Sequence, residues 1–203
     1  MTDRKLRVTV NRVTSLYAGF FDVNRYELEV ERHDGGIDTL IRDVMERGDS
    51  VAVLGYDPSR DEVVLVNEFR PGLLAAGDYP FTDSLAAGVI EKGESPLDAA
   101  VREMKEETGL ELHDPRIIHP GAYVSSGGTS ERIVIVFGNV DTSGAGGVHG
   151  NPEEHEDILT VVLPADEFID RARRGDIDDM KTLVAAYWLA EYREKRSRGA
   201  SAR

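Results

Sequence analysis

Three glutamates on one predicted helix are the side chains in this sequence best suited to do chemistry. Glu103, Glu106 and Glu107 are spaced i, i+3 and i+4. On a helix that advances about 100° per residue, they share one sector roughly 100° wide. Carboxylates placed so closely repel one another. They form either a solvated acidic face, the usual place for charged residues, or a set of oxygen ligands for a divalent cation such as Mg²⁺.

The helix that carries these glutamates is the clearest helix signal in the chain, and it extends from Ser95 to Thr108. Ser95 is a favourable N-cap, Pro96 suits the first helical position, and Asp98 at the third position resembles a capping box. Gly109 suits the left-handed position that follows a helix. The segment therefore predicts a helix that presents the three carboxylates together.

The wider string around this helix is GVIEKGESPLDAAVREMKEETGL. It reads Gly, five residues, Glu, seven residues, then Arg-Glu-apolar-any-Glu-Glu-any-Gly-apolar. This spacing resembles the Nudix box in full, from Gly88 to Leu110. The resemblance favours the metal-binding interpretation over the solvated face, because bound cations remove the repulsion among the carboxylates.

The resemblance implies a role for each of these residues. Glu103 and Glu107 would bind the metal directly, and Glu106 would bind the metal or a water molecule on it. Ala87 would contribute its carbonyl oxygen, and Arg102 would orient the glutamates. The implied ion is Mg²⁺, with Mn²⁺ as a substitute. The reaction is hydrolysis of a pyrophosphate, in which charge on phosphoryl oxygens must be neutralised and a water activated.

Beyond the box, the chain from about Arg42 to Leu189 resembles the ADP-ribose pyrophosphatases of bacteria. This resemblance implies that Arg42, Asp43 and Arg70 contact a nucleotide sugar. Arginine suits phosphate and planar bases. Each of these residues can alternatively be an ordinary strand-end charge.

The segment VSSGGTSER, which follows the box, resembles the substrate loop of that group. Gly127 and Gly128 would let the backbone approach a ligand, and Glu131 would contact a ribose hydroxyl. A simple turn is the alternative. Ser126 stands where the family carries a proline, and this departure weakens the assignment to ADP-ribose. Ser84 stands where the family often carries a glutamate.

An acidic loop, residues 141–157, lies further along the chain. Its Glu-Asp-Ile segment resembles the one in which the family carries a catalytic base, and the alignment selects Glu154. Glu156 and Glu131 remain alternatives, as does a loop of merely solvated acids. The glycines between Ser143 and Gly150 suit a loop that closes over substrate. The loop histidines are interpreted as solvated.

Composition limits the classes of function. The 203 residues suit one compact domain, or one domain with a small appendage, and the net charge of −14 opposes binding to nucleic acid. Cysteine is absent, which excludes disulfides and thiolate sites. The start lacks a signal-peptide pattern and no apolar run approaches ~20 residues, so we expect a cytoplasmic protein without a membrane span.

Alternating strands, predicted at residues 6–13, 23–32 and 39–44, open the chain. Further strands are predicted at residues 50–56, 62–69, 133–140 and 159–163, and further helices at 165–174 and 179–195. Residues 71–83 are interpreted as a loop. The expected fold is α/β, a Nudix α/β/α sandwich with a mixed sheet and an N-terminal β-strand lobe. We expect a lobe at 1–46 that forms a homodimer, a hydrolase domain at 47–196 and a frayed basic tail at 197–203.

The sequence thus predicts Mg²⁺-dependent hydrolysis of ADP-ribose to AMP and ribose 5-phosphate, with a small nucleotide sugar as the partner. Two alternatives remain open. One is the same chemistry on GDP-mannose or another nucleoside diphosphate sugar. The other is a Nudix module that binds nucleotide sugars without catalysis.

Overall fold

The computed structural model describes residues 5–201, except for the side chains of Glu154 and of residues 199–201. The chain divides into two compact units. The first comprises residues 1–49 and 123–132, and the second comprises residues 50–122 and 133–203. Residues 1–4 and 202–203, which belong to the predicted N-terminal lobe and basic tail, lie outside the described range.

In the first unit, three described strands form an antiparallel sheet: β1 (Val8–Ala18), β2 (Asp22–Glu31) and β3 (Ile37–Glu46). Gly35 has φ +90° in the turn between β2 and β3, a conformation that glycine adopts without strain. The predicted alternation is present, since Leu28 pairs with Val10 and Leu40 while Glu29 pairs with Thr9 and Thr39.

The second unit contains a mixed sheet of eight described strands. They are β4 (Ser50–Asp57), β5 (Glu62–Phe69), β6 (Phe81–Ser84), β7 (Ala86–Val89), β8 (His113–Tyr123), β9 (Arg132–Asn139), β10 (Val148–His149) and β11 (Ile158–Pro164). The order is β10-β11-β5-β4-β9-β8, with β6 paired to β5 and β7 paired to β4. β4 pairs with β9 in parallel, whereas β4 with β5 and β7, β5 with β6 and β11, and β10 with β11 are antiparallel pairs.

The described helices are α1 (Pro71–Ala76), α2 (Pro96–Thr108), α3 (Ala165–Arg174) and α4 (Met180–Ser201), with a 3₁₀ turn at Pro152–Glu154. β4 is buried throughout and separates two apolar clusters. Val51 and Val53 pack in the cluster of α2, whereas Ala52 and Leu54 pack in the cluster of α3 and α4. This alternation places helices on both faces of the sheet. The predicted α/β/α sandwich is confirmed.

Two expectations about individual elements were wrong. Residues 71–83 are not simply a loop, because Pro71 begins α1, Gly77 ends it in the left-handed conformation, and β6 pairs with β5. Helix α4 continues to Ser201, six residues beyond the predicted end at residue 195. No strand was expected over His113–Tyr123, where the sheet contains β8. Among the described helices, none has an apolar stretch long enough to cross a bilayer.

Candidate active site

Helix α2 is fixed at both ends by the residues that the sequence indicates. The Ser95 hydroxyl accepts a hydrogen bond from the Asp98 N–H at 3.2 Å, and Gly109 ends the helix at φ +72°. Ala99, Ala100 and Met104 are fully buried against the sheet. This packing fixes the rotation of the helix and turns two of its three glutamates inward.

Arg102 joins the box into one hydrogen-bonded network. It donates to both carboxylate oxygens of Glu94, at 3.0 and 3.1 Å, and to the Val89 carbonyl at 3.2 Å. Its Nη1 also donates to Glu103 at 2.7 Å and to Glu106 at 3.1 Å. These contacts raise the pKa of Arg102, chiefly through Glu94, and the same pair lowers the pKa of Glu94. Arg102 therefore orients two of the three box glutamates.

Glu103 is buried against β7, where Gly88 leaves room for its carboxylate. A Cβ added to Gly88 would lie 1.8 Å from Glu103 Oε1, so no larger residue fits there without displacing the glutamate. Burial raises the pKa of Glu103, and Arg102 opposes that effect. The box thus requires glycine at position 88 for space rather than for backbone conformation.

Glu107 is the most deeply buried of the three, with 3% of its surface exposed. Its Oε2 accepts a hydrogen bond from the Ala87 N–H at 3.1 Å. Burial, followed by the charges of Glu68 and Glu103, raises its pKa to about 9. A carboxylate in this setting is unfavourable unless a cation balances it. Ala87, whose carbonyl oxygen is the group expected to bind the metal, contacts Glu107 through its backbone N–H.

Glu68, which the sequence analysis did not identify, belongs to the same carboxylate group. It lies near the end of β5, on the face of the sheet that packs against α2, and it forms an ion pair with Arg70. Burial raises its pKa, Arg70 lowers it, and Glu156 raises it further. Its position two residues before Arg70 could have identified Glu68 from the sequence, because residues i and i+2 of a strand share a face.

Ser84 and Asp83 have separate roles. Ser84 is fully buried, and its hydroxyl lies 3.1 Å from Arg70 Nη2, on the side of the box. Asp83 instead accepts hydrogen bonds from Asn67 at 2.7 Å and from Arg171 of α3 at 2.9 Å. Asp83 therefore does not substitute for the glutamate that the family often carries at the position of Ser84.

The acidic loop contributes Glu156 to the carboxylate group. Glu156 Oε2 accepts a hydrogen bond from the Asn151 N–H at 2.9 Å, and its charge raises the pKa of both Glu68 and Glu103. The side chain of Glu154, the predicted base, lies outside the described residues. The expectation that His149 is solvated was wrong, because its ring is half-buried and its Nε2 lies 3.0 Å from the Gly146 carbonyl oxygen.

The predicted nucleotide-sugar residues Arg42 and Asp43 belong to the first unit, whereas the box belongs to the second. Arg42 donates to the Ile41 carbonyl at 2.7 Å. Asp43 forms a two-point ion pair with Arg25, at 2.7 and 2.8 Å. This pair lowers the pKa of Asp43. Both side chains lie on the sheet of that unit.

The predicted substrate loop also belongs to the first unit. Its Gly128 carbonyl accepts a hydrogen bond from the Met45 N–H at 2.9 Å, which ties the loop to β3. A Cβ added to Gly127 or Gly128 would meet no heavy atom within 4 Å, so the surface at both glycines is open. Glu131 lies 3.8 Å from Arg47 Nε.

The residues present fit a divalent cation, although no group of three or more His, Asp or Glu side chains is arranged as a metal centre within the described range. Arg102 holds Glu103 and Glu106, and Glu107 accepts a hydrogen bond from the Ala87 N–H. The burial of Glu103 and Glu107 and the raised pKa of Glu107 indicate a place where added positive charge would be favourable.

Comparison with known proteins places these features in context. The NUDIX domain matches residues 46–185. The ADP-ribose pyrophosphatase of Escherichia coli (strain K12) is 36% identical over 176 residues, which cover 86% of this chain and 84% of that protein. The corresponding enzyme of Haemophilus influenzae is 34% identical over 180 residues, covering 86% and 82%.

A GDP-mannose pyrophosphatase of Pectobacterium atrosepticum is 30% identical over 166 residues, covering 81% of this chain and 84% of that protein. A solved structure described as an ADP compounds hydrolase superposes with a TM-score of 0.73, over 97% of this chain and 100% of that chain, at 20% identity. At this identity the superposition supports the fold alone.

Proposed function

The chain belongs to the NUDIX family, and we propose that it hydrolyses the pyrophosphate bond of ADP-ribose to give AMP and ribose 5-phosphate. The observation that carries the proposal is the complete box, with Glu107 buried beside Glu103 and Glu68. The ADP-ribose pyrophosphatases among its relatives, at 34–36% identity over most of the chain, support the substrate.

The family depends on a divalent metal ion, and we propose Mg²⁺ for this chain, with Mn²⁺ as a substitute. Glu103 and Glu107 would hold the ion, with Glu106 and the Ala87 carbonyl completing its surroundings. When bound, the ion stabilises the charge that develops on the phosphoryl oxygens. Carboxylate ligands and a few waters are the surroundings that Mg²⁺ prefers.

The chain's own charged residues bind and orient the substrate in this proposal. Arg70 would hold a phosphate, because Ser84 and Glu68 fix its guanidinium on the box side of the sheet. Arg102 would keep Glu103 and Glu106 in place. Arg42, Asp43, Gly127, Gly128 and Glu131 are the residues proposed to contact the nucleotide sugar.

A carboxylate of the acidic loop would accept the proton of the attacking water, an effect typically worth ~10²–10⁴-fold in rate. The alignment on Glu-Asp-Ile selects Glu154. The electrostatic contact of Glu156 with Glu68 and Glu103 supports Glu156 as the alternative. Both lie in one short segment, so the same loop would serve either assignment.

We also propose a cytoplasmic homodimer that forms through the N-terminal sheet and completes each partner's site. Val8, Val10 and Val13 of β1 are about half exposed, as is Ile41 of β3. Apolar strand residues exposed in this number favour burial against another chain. The boundaries proposed for the lobe and the hydrolase domain are 1–46 and 47–196. Of the tail expected at 197–203, residues 197–201 instead continue helix α4.

GDP-mannose is the second candidate substrate, because a GDP-mannose pyrophosphatase is 30% identical over most of this chain. The test is a panel of nucleoside diphosphate sugars and dinucleotides, assayed with Mg²⁺ and with chelator. We expect the highest kcat/KM for ADP-ribose. A clearly higher value for GDP-mannose would change the substrate and keep the chemistry. Absence of turnover on the whole panel would favour the non-catalytic binding module.

A further inference from the structure

The ring of His149 lies against Gly109, the glycine that ends the box helix α2. A Cβ added to Gly109 would lie 2.8 Å from His149 Cε1 and 3.3 Å from Nδ1. Gly109 also has φ +72°. Position 109 therefore requires glycine twice, once for the left-handed backbone that ends the helix and once for the space that the imidazole ring occupies.

The backbone beside His149 is bound to the same end of α2. The Gly150 N–H donates to the Glu106 carbonyl at 3.1 Å, so it satisfies one of the carbonyl groups that a helix leaves free in its last turn. His149 Nε2 lies 3.0 Å from the Gly146 carbonyl, which can only accept, so this nitrogen carries the hydrogen. The ring thus connects Gly146, in the glycine-rich part of the acidic loop, to the end of the box helix.

The next residues of the loop hold Glu156. Gly150 has φ +107°, and a Cβ there would lie 2.7 Å from Glu156 Cβ. The Asn151 N–H donates to Glu156 Oε2 at 2.9 Å, and the Glu156 N–H donates to the Asn151 carbonyl at 3.2 Å. The position of Glu156 is therefore set by the two residues that directly follow His149.

We propose that His149 is a positioning residue for the reaction. Its ring, seated on Gly109, fixes the acidic loop to the box helix and so holds Glu156 near Glu103 and Glu68. Displacement of a reacting group by about 1 Å can reduce a rate 10²-fold. The proposal rests on the proposed function, because it takes a carboxylate of this loop as the proton acceptor.

The first test compares His149→Ala with His149→Phe, which keeps a ring and removes the donor. We expect His149→Ala to lower kcat on ADP-ribose by about tenfold or more with KM nearly unchanged, since the loop is displaced from the reacting groups. We expect His149→Phe to recover most of kcat, because ring packing is the main contact. His155→Asn is the control: His155 is exposed, and asparagine tolerates its φ of +57°.

A second readout needs no substrate. A glutamate-specific protease should cut the folded protein within residues 153–156 faster in His149→Ala than in the wild type, His149→Phe or His155→Asn. If the wild type lacked hydrolase activity, this measurement would still test whether His149 anchors the loop. Failure of the proposed function and failure of the anchoring proposal can therefore be distinguished. Unchanged kcat in an active enzyme, or unchanged cleavage in His149→Ala, would overturn the assignment.

A double-mutant cycle tests the contact itself. Gly109→Ala destabilises the protein in any background, because alanine is strained at the positive φ of this position. The added Cβ also clashes with the imidazole ring, but only where His149 is present. We therefore expect Gly109→Ala to lower the unfolding midpoint less in the His149→Ala background than in the wild type. Additive effects of the two substitutions would show that the ring and the glycine do not interact.

Discussion

Replacement of Glu107 by glutamine should stabilise the metal-free protein near neutral pH while it removes a metal ligand. The Glu107 pKa rises from the ordinary value of 4.5 to about 9 in the fold, first because of burial and then because of Glu68 and Glu103. Between these values the folded protein retains a proton that the unfolded chain releases. The stability of the metal-free wild type must therefore fall as the pH rises from about 4.5 to about 9.

The size of the effect follows from the distance between the pH and the unfolded-state pKa. At pH 7.5 the pH is three units above the unfolded-state pKa, and the folded protein still keeps Glu107 protonated. Each of these units lowers the free energy of unfolding by about 1.4 kcal/mol, so the total loss of stability is about 4 kcal/mol. Glutamine cannot ionise and still accepts from the Ala87 N–H, but it adds a buried amide donor that costs about 1–2 kcal/mol if unpaired. We expect a net stabilisation of about 2–3 kcal/mol.

Urea unfolding in chelator, at pH 6 and at pH 8, measures this effect. The stability difference between variant and wild type should increase by about 3 kcal/mol across that interval. Added Mg²⁺ should stabilise the wild type far more than the variant. Glu106→Gln is the matched control, because Glu106 is exposed; it should change stability by about 0.5 kcal/mol or less. A Glu107→Gln protein that is less stable than wild type at pH 8, or that shows the same pH dependence, would refute this reasoning.

Three further predictions concern the dimer, the base and the box glycine. Deletion of residues 1–40 should abolish both dimerisation, measured by light scattering, and activity; an active monomer would contradict the shared site. Glu154→Gln or Glu156→Gln should lower kcat by about 10²-fold or more, and the larger loss identifies the base; no loss in either would exclude the loop as its source. Gly88→Ala should lower kcat by about 10²-fold, because the added Cβ displaces the neighbouring carboxylate, whereas Gly72→Ala, which has open space, should retain activity.

Local signals predicted the box helix well. Ser95 and Gly109 specify its ends through contacts within a few residues of the helix, and these are present in the structure. The alternation along β2 and β5 likewise follows from a period of two. The short helix α1 was missed, because six residues carry too little periodicity to distinguish a helix from a loop.

The contacts that complete the candidate site could not be read from spacing. Glu68 reaches Glu107 only because β5 packs against α2, and the two residues are far apart in the chain. His149 was interpreted as solvated, since no nearby residue indicates that its ring packs against Gly109. Such contacts depend on how the elements pack, which a single sequence specifies only through the whole fold.

The most direct test of the central claim is kcat/KM for ADP-ribose, measured for the wild type and Glu107→Gln with Mg²⁺ and with chelator. We predict AMP and ribose 5-phosphate as products, no turnover in chelator, and a loss of ~10³-fold or more in the variant, as expected when several kcal/mol of metal-assisted stabilisation are removed. The variant should remain folded. Turnover by the wild type in chelator, or near-normal turnover by folded Glu107→Gln, would contradict the proposal that the box carboxylates hold a catalytic metal.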